Sequence, residues 1–378
     1  GKEKKIMSKR VSILTSRHIA LGAKPGQGEG VGYADWNGMN VAWNYASNPE
    51  DEHDAVRQVA GLFDVSALRK IRVRGADALS VVDHVSTRDM TKIYPGKSGY
   101  GLVLTEQGTI CDDCIIANLG EDGYLMVIGS GEGLERLQES AEGKDVTVEL
   151  DDELHDISLQ GPKAVDFLNE HTQLDLSSLK YFHQEKTILF DQECVISRTG
   201  YSGERGYEIF ANSNEVQIIW DTILEKGKHI GIVPCSFSCL DKIRIEASLL
   251  FYPYDMTKEN SPWEVGLGWA FSKAGNYRGK AAAESLRDQE RITFAGIYAD
   301  HNEALAGGEI LLLEGKEVGV VNSPAYSHRM KKSLALVHLS PEASEIGTKL
   351  RIKGDGIDCT ATVGLTPFYD PDKTRTHA

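Results

Sequence analysis

The feature of this chain that most restricts its fold is an order of elements that occurs twice. The first occurrence runs from the alternating strand Lys70-Ile-Arg-Val-Arg74 through a helix and a hairpin to a helix at residues 132–142. The second runs from Asp156-Ile-Ser-Leu-Gln160 through a helix start and a hairpin to a helix at residues 214–226. Strands that follow one another directly favour antiparallel pairing, with the helices on one face of each sheet. The sequence therefore predicts an α+β fold with two similar α/β lobes, not a doubly wound parallel sheet.

Beyond residue 290 the pattern changes to short apolar strands separated by glycine turns, such as Thr293-Phe-Ala-Gly-Ile and Ser333-Leu-Ala-Leu-Val-His. Such runs are typical of β-sandwiches and β-barrels. A chain of 378 residues with 41% hydrophobic side chains can bury two or three cores. We expect an α/β region over residues 7–284, with two interleaved lobes of which one covers about residues 50–145. An all-β domain over residues 285–378 is expected to follow.

The charge balance restricts the ligands. The formal net charge is -15 and no block of five or more Lys or Arg occurs, which argues against nucleic acid or an anionic membrane as a partner. No apolar run approaches the roughly 20 residues that cross a bilayer, and the first residues lack the apolar core of a secretory signal. We therefore expect a cytoplasmic protein that acts on small metabolites.

The six cysteines are too few for a disulfide scaffold, so buried thiols are the expectation. Cys111-Asp-Asp-Cys114 has the spacing of a metal or redox pair, but no second pair with that spacing occurs in the sequence. The sequence also lacks the glycine-rich nucleotide loops and the Gly-x-Ser-x-Gly elbow. No metal is predicted, and nucleotide cofactors and serine hydrolase chemistry are disfavoured.

Residues 197–210 combine two glycine-bracketed turns with two carboxylates in one strand-turn-strand unit. Glycine permits a positive φ or a close backbone approach. From so rigid a bend, side chains such as Tyr201, Glu204 and Glu208 can project toward a ligand. The alternative from this segment alone is an ordinary hairpin with a polar tip.

Asp112 and Asp113 follow each other in a strand that continues as Cys114-Ile-Ile-Ala. Because side chains alternate between the two faces of a strand, one of the two carboxylates must face the buried side. A buried carboxylate needs a partner, or it has a raised pKa and serves proton transfer. A bulged or edge strand with both acids in water is the alternative.

Two further groups have both a structural and a functional interpretation. Arg244 either pairs with Asp241 one helical turn away or binds a carboxylate in the bidentate manner. Trp263 and Trp269 offer flat surfaces to a flat ligand, yet such rings serve hydrophobic cores equally well.

In order and spacing, these segments resemble the family of the glycine-cleavage T-protein, the folate-dependent aminomethyltransferase, together with its folate-dependent demethylase relatives. The resemblance runs nearly end to end. It is carried by Asp51-Glu-His-Asp-Ala-Val-Arg57, Gly61-Leu-Phe-Asp-Val-Ser66, residues 108–113, Leu159-Gln-Gly-Pro162, Thr199-Gly-Tyr-Ser-Gly-Glu204, Tyr207-Glu208, Arg244-Ile-Glu-Ala247 and Gly319-Val-Val-Asn-Ser323.

The resemblance implies a three-lobed ring of two folate-binding α/β lobes and a C-terminal all-β barrel, with tetrahydrofolate in the central channel. It assigns the polar edge of the pterin to Glu208 and the pocket of the ring to Tyr100 and Tyr201, with Arg244 also on the cofactor. One acid of the Asp112–Asp113 pair would lie beside the reacting carbon, and the hypothesis favours Asp112.

The folate positions match the family better than the substrate positions do: Ala67, for example, stands where the family has a His. This asymmetry favours a demethylase that moves a methyl group from a small sulfonium, amine or methoxy donor to N5 of tetrahydrofolate. Trp36, Trp43 and Trp263 could then form an aromatic cage for an onium donor.

Two alternatives stay open. One is a true aminomethyltransferase that gives 5,10-methylene-tetrahydrofolate and meets a lipoyl carrier protein. The other is a folate-binding protein without transferase activity. The branch of the family that supports iron-sulfur assembly has a Cys in a signature that corresponds to residues 273–279, where this chain has none.

Overall fold

The computed structural model describes residues 10–23, 34–272 and 274–378, so the predicted domain start at residue 7 and the residue at position 273 lie outside the described residues. The helices are α1 (Thr15–Ala20), α2 (Pro49–Gln58), α3 (Ala78–Val85), α4 (Gly133–Ala141), α5 (Ala164–Asn169), α6 (Ser213–Gly227), α7 (Phe237–Glu246) and α8 (Lys280–Ser285). The strands are β1 (Ala34–Trp36), β2 (Met39–Val41), β3 (Gly61–Asp64), β4 (Arg69–Arg74), β5 (Ser98–Leu104), β6 (Ile110–Asn118), β7 (Tyr124–Ile128), β8 (Thr147–Leu150), β9 (Leu154–Gln160), β10 (Gln184–Leu189), β11 (Gln192–Ser197), β12 (Gly206–Asn212), β13 (Val233–Pro234), β14 (Thr293–Ala299), β15 (Ile310–Leu313), β16 (Lys316–Ser327), β17 (Lys332–Leu339), β18 (Lys349–Gly354) and β19 (Ile357–Gly364).

The first lobe is a five-stranded antiparallel sheet in the order β5-β6-β7-β4-β8. Helices α3 and α4 cover one face, where Val81, Val82 and Leu137 pack against Ile71 and Met126. The apolar positions of α3 recur at helical spacing, which is why this helix buries one side on the sheet. The opposite face of the sheet is left for a cavity.

The second lobe is a six-stranded sheet in the order β10-β11-β12-β9-β3-β13. Trp220 and Ile223 of α6 pack on one face against Ile157 and Ile209. Only the short edge pair β3–β13 is parallel within this sheet. The two lobes are interleaved, because β3 precedes the first sheet in the chain but pairs with β9 of the second. The first sheet therefore begins at β4 rather than near residue 50, since Gly61–Asp64 finds its pairing partner in the other lobe.

The C-terminal part closes into a barrel of six antiparallel strands in the order β14-β17-β16-β15-β18-β19. Its interior is filled by small and branched side chains, among them Ile297, Val337 and Leu339, all fully buried. Closure leaves no free sheet edge, so every strand is paired on both sides. The α+β fold with two lobes and an all-β barrel is confirmed, whereas the domain boundary between residues 284 and 285 stays a prediction.

Among the described residues, the helices are too short or too polar to reach across a lipid bilayer.

A buried ionic network joins the second lobe to the barrel and to the C-terminal segment. Arg57 of α2 donates to Glu246 of α7 at 2.8 Å and to Glu204 of the β11–β12 turn at 2.9 Å. His53 Nε2 lies 2.7 Å from the Glu246 carboxylate, and Arg375 Nε donates to Glu204 at 2.7 Å. Burial alone would raise the pKa of Glu246, but the hydrogen bond from His53 and the charge of Arg57 outweigh it and lower that pKa to about 2.

We predict that Glu246→Gln lowers the free energy of unfolding by about 3 to 5 kcal/mol, because Arg57 is then left buried with only one of its two carboxylate partners. The stabilisation that the lowered pKa gives is present above the ordinary pKa of 4.5 and is lost as the pH falls toward about 2. Urea unfolding at pH 7 and at pH 4 measures both effects. The matched control is Glu342→Gln in an exposed pair with Lys316, which should change stability by less than about 1 kcal/mol. Equal losses in the two variants would contradict the prediction.

Candidate active site

A cavity of about 1240 Å³ lies where the two lobes and the C-terminal part meet. The free faces of both sheets form its walls, with Ile115 and Val127 from the first sheet and Val195 and Phe210 from the second. Of the nine side chains selected from the sequence, seven line it, namely Trp36, Trp43, Tyr100, Asp113, Tyr201, Glu208 and Arg244. A cavity of this size and partly apolar lining suits a flat ligand of several rings.

The two neighbouring carboxylates lie on opposite faces of β6. Asp113 faces the cavity, where its Oδ2 accepts a hydrogen bond of 2.8 Å from the Tyr100 hydroxyl. Asp112 is fully buried on the other face and accepts main-chain N–H groups of Gly133 and Asp113, each at 2.9 Å. A Cβ on Gly133 would come within 2.7 Å of the Asp112 carboxylate, so this position requires glycine. The sequence hypothesis that favoured Asp112 is corrected, because strand alternation turns Asp112 toward α4.

Both acids have raised pKa values. Burial raises the pKa of Asp113 to about 6, and the hydrogen bond from Tyr100 limits that rise. Burial and the neighbouring charge of Asp113 raise the pKa of Asp112 to about 8. Asp113 therefore changes protonation close to neutral pH at the cavity wall, as a group that exchanges protons with a ligand must.

The β11–β12 turn and strand β12 each hold one of the predicted ligand groups. Glu208 of β12 lies opposite Ser158 of β9 and reaches the cavity with 9% of its surface exposed. The Tyr201 hydroxyl donates to the main-chain oxygens of Leu249 and Leu250. These contacts fix the ring of Tyr201 against the cavity.

Gly200 and Gly206 leave room for one buried side chain, that of Gln160. A Cβ on Gly200 or Gly206 would come within 2.3 Å of the Gln160 side chain, which lies between them. Gln160 Nε2 in turn donates to the main-chain oxygen of Thr199, and Ser202 donates to its Oε1. The turn is therefore a packed element of the cavity wall, not a polar hairpin tip.

Arg244 lines the cavity, but its guanidinium is already engaged by the protein. Its Nε donates to Asp241 at 2.9 Å, one terminal nitrogen to Asp255 at 2.6 Å and the other to Ser323 at 3.0 Å. Burial alone would lower the pKa of Arg244, but Tyr201 and the carboxylates around it raise that pKa. The pairing with Asp241 that the first sequence interpretation gave is present, and Arg244 also joins α7 to the barrel at the cavity wall.

The three tryptophans of the predicted cage are separated. Trp36 and Trp43 line the cavity, whereas Trp263 does not. The Trp263 indole N–H donates to the main-chain oxygen of Ala283 at 2.7 Å, and its ring packs on Phe271 with centroids 4.8 Å apart. The core interpretation therefore applies to Trp263, because the 261–271 segment packs against α8.

Two aromatic side chains that the sequence analysis did not select complete the group around Trp36. The ring centroid of Trp36 lies 5.6 Å from that of Phe237 and 5.9 Å from that of Phe251. Its Cζ2 lies 3.9 Å from the position of a Cβ on Gly129, the residue after β7 and next to Asp113 on the neighbouring strand. Aromatic faces and a carboxylate therefore border one part of the cavity. Isolated Phe residues in the sequence carry no signal for this role.

Trp269, which the sequence presents as a flat surface for a ligand or a core, lies at the rim of the cavity. Its ring is 65% exposed and stacks on Tyr100 with centroids 5.5 Å apart. The Arg88 guanidinium lies 5.9 Å from the Trp269 ring and donates to the main-chain oxygen of Tyr100 at 2.7 Å. All three side chains line the cavity, so its accessible rim has an aromatic and cationic character.

Potential metal ligands among the described residues lie away from this cavity wall or have other partners. The thiols of Cys111 and Cys114 are buried and donate to main-chain oxygens of β5. Two groups outside the cavity come close enough to share an ion, Glu52 with Cys235 and Cys239, and His53 with Asp54 and His328. Glu52 already accepts hydrogen bonds from Ser47 and Ser236, and each imidazole Nε2 of the second group lies against a carboxylate. The cavity itself presents carboxylate, hydroxyl and aromatic groups, which suit an organic cofactor.

Two domain profiles match the chain. The GCVT N-terminal domain matches residues 14–274, and the glycine cleavage T-protein C-terminal barrel domain matches residues 293–370. The chain is 43% identical over 97% of both chains to the heme-dependent oxidative N-demethylase gamma subunit of Ectopseudomonas mendocina. It is 33% identical to the aminomethyltransferase of Koribacter versatilis, over 96% of this chain and 97% of that one.

A solved structure has the same fold. The glycine cleavage system aminomethyltransferase T from Bartonella henselae superposes with a TM-score of 0.87 at 23% identity, over 96% of this chain and 99% of that one. The sequence resemblance is therefore confirmed over both lobes and the barrel. The chain belongs to the glycine cleavage T-protein family.

Proposed function

We propose that this protein transfers a one-carbon unit from a methylated amine to tetrahydrofolate bound in the central cavity. The observation that carries the proposal is that one cavity combines Glu208, Tyr201 and Tyr100 with an accessible Asp113 and an aromatic group around Trp36. Together these side chains offer a polar edge, stacking faces and a proton-exchanging carboxylate. Those are the features that a pterin and a nitrogen-bound carbon need.

The acceptor side rests on the second sheet. The pterin edge carries adjacent N–H donors, and a carboxylate such as Glu208 accepts two of them at once. Tyr201 is fixed by the Leu249 and Leu250 carbonyl oxygens and offers a rigid ring beside that edge. Arg244 acts indirectly in this arrangement, because its donors already hold the cavity wall together.

The donor side is supported by the relatives. One is named an oxidative N-demethylase subunit and another an aminomethyltransferase. An aminomethyl carbon and an oxidised N-methyl carbon have the same oxidation level, that of formaldehyde. We therefore narrow the sulfonium, amine or methoxy donor of the sequence hypothesis to an amine and infer 5,10-methylene-tetrahydrofolate as the product. Because the first relative is named a subunit of an oxidative N-demethylase, the comparison also supports a partner subunit that oxidises the amine.

The chemical step then needs positioning and proton transfer. Tetrahydrofolate held by Glu208 and Tyr201 would supply the nucleophilic nitrogens that take over the iminium carbon of the donor, with release of the free amine and one proton. Asp113 as a carboxylate favours the cationic iminium and accepts that proton, while the aromatic faces of Trp36 and Phe251 attract the cation. Holding both reactants in one cavity supplies most of the acceleration.

The product tests the proposal. We expect formaldehyde mixed with dimethylamine, which forms the iminium in solution, to give 5,10-methylene-tetrahydrofolate faster than the uncatalysed condensation. Unoxidised trimethylamine or a dimethylsulfonium donor should give no 5-methyl-tetrahydrofolate. Chromatography of the folates separates the two products. Formation of the 5-methyl product would favour direct demethylation, and a faster reaction with an aminomethyl-lipoyl carrier would favour the glycine cleavage reaction.

We predict that Asp113→Asn lowers kcat about 100-fold while the dissociation constant for tetrahydrofolate changes less than about threefold. In the wild type, log kcat/KM should rise with pH and level off above about 6, because protonation of Asp113 below that pKa removes the base. The pH profile of log kcat/KM for Asp113→Asn should lack this rise. Asp112→Asn is the matched control, since Asp112 does not reach the cavity. A larger loss of kcat in Asp112→Asn than in Asp113→Asn would contradict the assignment.

We predict that Trp36→Leu raises KM for the cationic amine donor about three- to tenfold, because the ring face that attracts the cation is lost. The dissociation constant for tetrahydrofolate should not change. Trp263→Leu, which alters a tryptophan outside the cavity, is the control. Initial rates at varied donor concentration measure the effect. An equal rise of KM in both variants would show that general loss of packing, not the donor subsite, is responsible.

A further inference from the structure

Asp156 is a carboxyl group buried directly behind Glu208. On the paired strands β9 and β12, Ser158 lies opposite Glu208 and Phe210 lies opposite Asp156. Asp156 and Glu208 are therefore diagonal neighbours on the cavity-facing side of the second sheet, within reach of each other. Asp156 is fully buried, whereas Glu208 reaches the cavity.

The surroundings of Asp156 do not compensate a negative charge. Neither of its carboxylate oxygens accepts a hydrogen bond from a donor group. The cation that acts on Asp156 is Lys70, whose ammonium group donates to the main-chain oxygen of Ser66. Asp64, the other acid here, is already bound by Ser12 and His18. A buried carboxylate without donors costs several kcal/mol, whereas a neutral carboxylic acid has a proton to donate.

We propose that Asp156 keeps its proton at neutral and mildly alkaline pH and donates it in a hydrogen bond to Glu208. This bond fixes the carboxylate of Glu208 in the orientation that meets the pterin edge. Asp156 is thus a positioning residue for the cofactor. The role in cofactor binding rests on the proposed function, whereas the shared proton does not.

The electrostatic environment agrees with this arrangement. Burial and the neighbouring carboxylate of Glu208 raise the pKa of Asp156 well above its ordinary value, and Lys70 opposes that rise. Burial and the charge of Arg10 lower the pKa of Lys70 to about 8, which weakens its hold on Asp156 at alkaline pH. Two carboxyl groups that share one proton need no further donor, which accounts for the two unpartnered oxygens of Asp156.

Infrared spectroscopy of the ligand-free protein tests the shared proton. At pH 9 the other aspartates with raised pKa values, Asp113 with a pKa of about 6 and Asp112 with a pKa of about 8, are largely ionised. We expect a protonated carboxyl band that shifts when the aspartates carry ¹³C in the side-chain carboxyl and that Asp156→Asn removes. Asp112→Asn is the control and should keep the band. Absence of the band in the wild type, or its survival in Asp156→Asn, would overturn the proposal.

Cofactor binding tests the positioning role. Asp156→Asn retains an N–H donor toward Glu208, so its dissociation constant for tetrahydrofolate should stay within about threefold of the wild type. Asp156→Leu lacks a donor and should bind about five- to tenfold more weakly, the loss expected for one hydrogen bond. Equal binding in Asp156→Leu and the wild type would overturn the role. If the wild type binds no tetrahydrofolate but shows an infrared band that is absent from Asp156→Asn, the shared proton is supported and the assignment of the cavity to folate is contradicted.

Discussion

The arrangement of the molecule depends on the placement of Arg57 between two buried carboxylates. Glu246 and Glu204 each accept one side of its guanidinium, and both are at most 4% exposed. Each carboxylate also accepts a hydrogen bond from elsewhere in the chain. Ser327 of the barrel donates to Glu246, and Arg375 of the C-terminal segment donates to Glu204. Because buried charges require all of their partners, the second lobe, the barrel and the C-terminal segment can meet in few ways. The cavity that they border therefore has a fixed shape.

The two sheets face each other across the cavity, with one acid on each. Asp113 on the first sheet changes protonation near neutral pH, whereas Glu208 on the second is supported from behind by Asp156. The two acids therefore differ in chemistry, the first suited to proton exchange and the second to steady recognition. A reaction that joins a carbon to N5 of a folate needs one of each, because positioning supplies most of the acceleration and one proton must be moved.

The sequence patterns predicted the fold correctly where interactions between residues close in sequence determine it. The doubled order of elements predicted both lobes, and the short apolar strands predicted the barrel. The pairing of β3 with β9 and with β13 depends on contacts distant in sequence, which periodicity does not reveal. In the same way, the family resemblance selected the Asp112–Asp113 pair, but which acid faces the cavity depends on strand register and on Gly133. Trp263 was misassigned because an aromatic ring in a glycine-rich segment looks alike in a core and in a ligand site.

The most direct test of this account is a crystal structure with 5-formyl-tetrahydrofolate, a stable form of the cofactor. The account predicts the pterin edge on the Glu208 carboxylate, the ring beside Tyr201, and N5 directed toward Asp113 within reach of a hydrogen bond or one bridging water. The aromatic group around Trp36 should remain open beside N5 for the donor. A pterin bound away from Glu208, or an N5 directed away from Asp113, would contradict the central claim.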